Sequence, residues 1–264
     1  MDNFIDQHLD WAILEGNRPG TCAVRGRVLR HFLAGDRDPL TVTRADVMAF
    51  LARPLAPQSR AAYLAHLKAF YKWLSDERLL TGPDPTVGLH GPKLPRPVPH
   101  PISDSDLRMA LTTAPEPLRT WFLIASHQGL RACEIAPLAA EDIVDGRLLI
   151  RDGKGGRSDW LPMHPLVEAR LAELSTRPGP FWPGLRASMV TERCNRWLRG
   201  HGSAYTLHAC RHWAATSILR SSGGNLRVAQ DLLRHSSPDT TARYTQVVGT
   251  ELSAALAKIG IGAA

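Results

Sequence analysis

Cysteine is scarce and scattered: Cys22, Cys133, Cys194 and Cys210 form no CxxC pair. That excludes a disulfide framework and leaves them as small buried side chains suited to a reducing compartment. No apolar run approaches the length of a membrane span. The N-terminal MDNFIDQHLDW lacks the basic segment and apolar core of a secretion signal, so a cytoplasmic chain with no membrane partner is expected. His127, His164 and His201 match no metal-ligand spacing. Lysine is also rare, supplying only five of the 32 basic residues.

What remains is ample for packed cores: 264 residues, 44% apolar, enough for two ordinary domains. A formal charge of +7 and a pI near 9.6 point to a polyanionic partner, nucleic acid first. A merely basic, arginine-rich protein fits the charge about as well. The densest polar chemistry lies in residues 207–245, LHACRHWAATSILRSSGGNLRVAQDLLRHSSPDTTARYT. His208 and Arg211, three apart, share a face of any helix there. A second helical run from Leu226 to Leu233 stops before His235, and Tyr244 lies nine residues further on. The side chains suit a phosphate site attacked by Tyr244, although from the residues alone Tyr244 reads equally as an ordinary core or surface tyrosine.

Residues 1–90 carry helical periodicity throughout. Stripes at Phe4, Ile5, His8, Leu9 and Ala12 and at Val24, Val28, Leu29 and Phe32 flank a break at Arg18–Pro19–Gly20. Thr43 is expected to cap a helix with Asp46 reaching back, and Ser59 to cap a longer one through Tyr63, Leu67, Phe70 and Leu74. Arg25, Arg27, Arg30, Arg60, Lys68 and Lys72, with Tyr63 and Tyr71, are read as exposed on this all-α domain. Such a face can grip a DNA backbone, though each alone reads more readily as an ordinary solvated or core side chain. Residues 91–101, GPKLPRPVPHP, hold five prolines in eleven residues and form an extended linker. In 102–264, Ser103–Asp106 caps a helix, and another follows through Leu118, Trp121, Phe122 and Ala125. Arg131 begins the next, with Glu134 three residues on and able to hold its guanidinium. Residues 147–163 form the one β-hairpin, with Lys154 on its glycine-rich turn. A solvated turn lysine is the commoner reading of that spacing, but lysine can give up a proton at a tuned pKa. Helices are expected at 166–174 and 189–198. The fold class is mainly α with a small β-hairpin.

Four motifs stand in one order: GLRACEI at 129–135, DGKGGR at 152–157, LHACRH at 207–212 and LLRHSSPDTTARYT at 232–245. Together they resemble the tyrosine recombinase, or phage integrase, family in its compact two-domain form, which includes the bacterial Xer recombinases. The resemblance covers about 102–248. Residues 1–90 are similar to the family's core-binding domain, and the chain is too short for a further arm-binding domain.

The resemblance implies that Arg131 and Arg211 clamp the scissile phosphate and that Lys154 protonates the leaving 5′ oxygen. It implies also that His208 assists deprotonation of the nucleophile, that His235 bonds a phosphoryl oxygen and that Tyr244 attacks. It implies chemistry without cofactor or metal, on double-stranded DNA carrying a specific site. A homo-tetramer would exchange strands through a Holliday junction, with accessory DNA-bending or directionality proteins as further partners. The role is integration or excision of a mobile element, or dimer resolution. The physics agrees: guanidiniums and an imidazole N–H supply fixed donors for a phosphodiester transition state. A phenol with a pKa of about 10 needs a base beside it. A type IB topoisomerase-like enzyme and a non-catalytic DNA-binding protein of this fold are the alternatives. Two positions depart from the family pattern. Arg234 stands where glycine usually precedes the histidine. At positive φ it costs on the order of 1 kcal/mol, or it adds a phosphate contact. Arg157 replaces a common lysine, which leaves Lys154 as the hairpin's one lysine. With Arg60, Lys68 and Lys72, Arg157 and Arg234 complete the expected DNA contacts.

Overall fold

Proline opens three of the helices. In the computed structural model, which describes residues 2–35, 37–95, 98–151 and 158–234, α2 (Pro19–Phe32), α4 (Pro57–Asp76) and α8 (Pro165–Leu174) all begin on proline. Proline's fixed φ suits the first helical turn, where its missing N–H has no intrahelical partner to lose. The break expected at Arg18–Pro19–Gly20 is therefore the first turn of α2. Ser59, expected as a cap, lies inside α4, whose N-cap is Ala56 with no side-chain bond.

The chain divides into two compact units, Met1–Arg96 and Pro97–Ala264. The first adds α1 (Asp2–Leu14) and α3 (Arg44–Ala52) to α2 and α4. The capping box of α3 is as the sequence predicts: Thr43 Oγ1 accepts from Asp46 N at 3.3 Å and Asp46 Oδ2 accepts from Thr43 N at 2.9 Å. Leu29, Phe32, Val47, Phe50, Leu67, Phe70, Tyr71 and Leu74 fill the core. Two residues read as exposed are buried: Tyr71, whose hydroxyl donates to Pro39 O at 3.3 Å, and Arg25. A stripe of polar letters does not reveal an arginine folded inward on a histidine. Arg25 lies 3.2 Å from Nε2 of His8, whose buried ring sits among Trp11, Phe70 and Trp73.

In the second unit, α5 (Asp104–Thr113) is capped by Ser103, and α6 (Leu118–His127) forms the centre, with Trp121, Phe122, Ile124 and Ala125 fully buried. α9 (Ala187–Gly200) and α10 (Leu207–Ser221) pack on α6, as do α5 and α8, and α11 (Leu226–Leu233) packs on α10. The helix after Arg131, α7 (Ala132–Ile135), is one turn long, because Pro137 cannot continue it. The sheet has three antiparallel strands in the order β1 (Ile143–Val144), β2 (Arg147–Ile150), β3 (Asp159–Pro162), with Leu148 paired to Leu161. The predicted hairpin is β2 and β3. β1, too short to show alternation, escapes a reading by periodicity. Its cue was Asp145–Gly146, both at positive φ, the pair a tight primed hairpin turn requires. No helix among the described residues is long and apolar enough to cross a membrane.

His8 carries a measurable consequence. Loss of water first, and the charge of Arg25 second, push its pKa down to about 4. The unfolded chain then takes up the proton first, so this contribution to stability is whole above pH 6.5 and is lost as the pH falls toward 4. His212, also held near 4, acts in the same direction. Urea unfolding of the wild type should show a fall on the order of 2 kcal/mol from His8 across that window. His8→Gln, which keeps an acceptor for Arg25 and does not titrate, should flatten the slope; an unchanged slope would count against this account.

Candidate active site

Gly129 ends α6 in the left-handed region at φ 66°, and a Cβ there would meet Leu233 Cδ2 at 3.3 Å. Glycine is required twice over, by the turn and by the close approach of α11. The turn delivers Arg131 to the N-cap of α7, where Glu134, at the third helical position, binds it in two ways. Glu134 Oε2 accepts from the Arg131 backbone N–H at 2.7 Å, and Oε1 accepts from its Nη1 at 2.9 Å. The spacing Arg-x-x-Glu therefore caps the helix and aims the guanidinium at once.

Arg211, four residues into α10, reaches the same place from the other side. Its Nη1 donates to Gly129 O, its Nη2 donates to Leu233 O at 2.6 Å, and its Nη1 lies 3.6 Å from Glu134 Oε2. A third cation arrives from the end of α11. Arg234 adopts φ 51°, ψ 47° and places Nη2 2.7 Å from Glu134 Oε2, while its Nη1 donates to Leu232 O at 3.1 Å. Of the two readings of this position, the left-handed backbone is observed. Its cost, on the order of 1 kcal/mol, is set against a buried ion pair. The Arg234 side chain is only 5% exposed, so as a DNA contact it is not an open surface residue.

Glu134 is thus a buried carboxylate shared by three guanidiniums. Burial alone would raise its pKa, but the charges of Arg234, Arg211 and Arg131 and the Arg131 backbone N–H together hold it below the ordinary value. Three positive groups against one negative leave the cluster cationic at neutral pH, a suitable lining for a phosphodiester.

His208, in the first turn of α10, lines a cavity of about 150 Å³ together with Arg131, Thr191, Asn195 and Thr206. Asn195 Oδ1 accepts from Leu207 N at 2.8 Å and so fixes the start of α10. The ring stands edge-on to His212 at 4.6 Å. Lost hydration first, then the charges of Arg211 and Arg131, lower the His208 pKa, so the imidazole is neutral at pH 7 and able to accept a proton. Arg151, three residues before Lys154 in the sequence, is tied to the buried Asp142 at 2.6 Å. The structure brings Arg131 and Arg211 onto one carboxylate and sets His208 beside Arg131. Lys154, Arg157, His235 and Tyr244 lie outside the described residues.

The other expected DNA contacts divide. Arg60 directs Nε to Leu51 O at 2.9 Å, serving carbonyls at the end of α3. Lys72 pairs with Asp76 at 2.8 Å on the exposed side of α4, and Lys68 is half-buried. Glu134, absent from the expected catalytic set, is the residue that organises it; its signal was the three-residue spacing from Arg131.

Replacing Glu134 leaves three buried or half-buried guanidiniums uncompensated. Glu134→Gln is expected to cost about 3–5 kcal/mol in urea unfolding. A loss under 1 kcal/mol would show that solvent or another anion replaces the carboxylate.

No protein-family model matches the chain. Tyrosine recombinase XerD of Shewanella oneidensis is 32% identical, over 95% of this chain and 94% of that protein. Tyrosine recombinase XerC of Rhodospirillum centenum is 33% identical over 77% of this chain, and the match spans 66% of that protein. Among solved structures, lambda integrase bound to DNA superposes with a TM-score of 0.71 at 21% identity, covering 98% of this chain and 99% of that one; at that identity the likeness speaks for the fold. The fold agrees with lambda integrase, and the sequence agrees with XerD along nearly the whole of both chains; on the strength of that sequence likeness this chain belongs to the tyrosine recombinase family.

Proposed function

We propose that this chain cuts and rejoins DNA at a specific site through a 3′-phosphotyrosyl intermediate. It is a tyrosine-type site-specific DNA recombinase. The observation that carries the reading is the cationic cluster on Glu134, with Arg131 and Arg211 drawn from the first and third of the four motifs and neutral His208 beside them.

Residues 1–90 act as a DNA-binding domain, joined through 91–101 to the catalytic domain, 102–264. In the cutting step the Tyr244 oxygen attacks the phosphorus and its proton passes to His208. The bond from phosphorus to the 5′ oxygen breaks, and Lys154 gives that oxygen its proton. Arg131, Arg211 and His235 hold the nonbridging oxygens as charge gathers on them. The phosphotyrosyl ester keeps the energy of the broken bond, so a 5′ hydroxyl reverses the step without a nucleotide. The enzyme works as a homo-tetramer in the cytoplasm on two double-stranded sites, exchanging strands through a Holliday junction. Its use is integration or excision of a mobile element, or dimer resolution.

Full-length wild type incubated with a randomised pool of nicked duplexes should yield an SDS-resistant protein–DNA adduct, and Tyr244→Phe none; an adduct that persists in Tyr244→Phe would sink the assignment. On the duplex so recovered, Lys154→Ala should lose at least about a hundredfold in cutting rate. A bridging 5′-phosphorothiolate, whose leaving thiolate needs no proton, should restore most of it. Failure of that rescue would remove Lys154 from the general-acid role.

A further inference from the structure

We propose that Arg234 is a positioning residue of the phosphate clamp, holding the Glu134 carboxylate so that Arg211 keeps only a long ion pair with it and does not close to hydrogen-bond distance. This rests on the recombinase reading of the site. The geometry is a competition for one oxygen. Glu134 Oε1 is taken by Arg131 at 2.9 Å, while Oε2 has Arg234 at 2.7 Å and Arg211 at 3.6 Å. Arg234 is within hydrogen-bond distance, while Arg211 keeps a longer ion pair and is oriented by the carbonyls of Gly129 and Leu233.

Nothing in the local backbone favours arginine here. The residue is left-handed at φ 51°, where glycine is the unstrained choice, and Nε is buried with no partner among the described residues. A side chain kept under both penalties, with its guanidinium divided between Glu134 and Leu232 O, is held by the ion pair. Two consequences follow. With Arg234 the cluster is three cations on one anion. Without it, the cluster has one charge fewer and Oε2 is open to Arg211, which would turn from a phosphate toward the carboxylate. The pair also ties the end of α11, one residue before His235, to the helix that carries Arg131.

The test uses the full-length chain and inorganic sulfate, a tetrahedral dianion, read as the sulfate-dependent rise in Tm at constant ionic strength. The clamp's share is the part of that rise removed by Arg131→Ala. Arg234→Gly restores the unstrained residue, so a merely structural view expects a folded protein with unchanged sulfate affinity. The positioning role expects Arg234→Gly to fold and to bind sulfate about tenfold more weakly. Arg234→Lys, which keeps a cation for Oε2, should recover most of that affinity. In a Glu134→Gln background Arg234→Gly should lose most of its effect. If Glu134→Gln does not fold, the glycine and lysine variants decide the matter. Wild-type affinity in Arg234→Gly overturns the inference, as does a loss undiminished in Glu134→Gln, which would make Arg234 a direct anion ligand. A wild type whose sulfate response is untouched by Arg131→Ala overturns the clamp itself, and the inference with it.

Discussion

One buried carboxylate orders the catalytic unit. Glu134 accepts from the first turn of its own helix, from the side chain three residues before it, and from an arginine one hundred residues later, and it stands near Arg211 of α10. Desolvating a lone carboxylate is costly, and the cost is recovered only where several well-placed donors converge. Placing Glu134 therefore means placing α7, α10 and the end of α11 together. The packing beneath is consistent with this: α6, with Trp121, Phe122, Ile124 and Ala125 fully buried, packs against α5, α8, α9 and α10 and ends at the turn that carries Gly129.

The same arithmetic bears on the proposed phosphoryl chemistry. Electrostatic stabilisation of a phosphoryl transition state works when the donors are fixed before charge develops. Arg131 is fixed through Glu134, and Arg211 by two carbonyls. His208 sits beside that positive charge, and lost hydration first, with the charges of Arg211 and Arg131 second, lowers its pKa. Burial and the cationic cluster thus act on this imidazole in the same direction.

Helices, and the pairing of Arg131 with Glu134, were legible in the sequence because they depend on spacing along one chain. Thr43 and Ser103 announced their caps by the same local logic. The misses are of another kind. β1 is two residues long, and its partner had already been assigned to a hairpin. Arg25 and Tyr71 turn inward because of what faces them across the helical bundle, which no periodicity records. Arg234 was recognised as a departure, with a left-handed backbone as one of its two readings. That its guanidinium would land on Glu134 depends on α11 crossing α10 at the right place, a tertiary fact.

The clearance at Gly129 sets a limit on how this protein can vary. Its carbonyl receives Arg211 while its missing side chain leaves 3.3 Å to Leu233 Cδ2 and 3.6 Å to the Ala214 methyl for any added carbon. A methyl group at that point would be strained by the left-handed backbone and would ask the end of Leu233 to give way by a few tenths of an ångström, beside the place where Arg211 and Arg234 enter the cluster. Drift at this position is therefore opposed first by the backbone, so the glycine guards the junction of two arginines carried elsewhere in the chain.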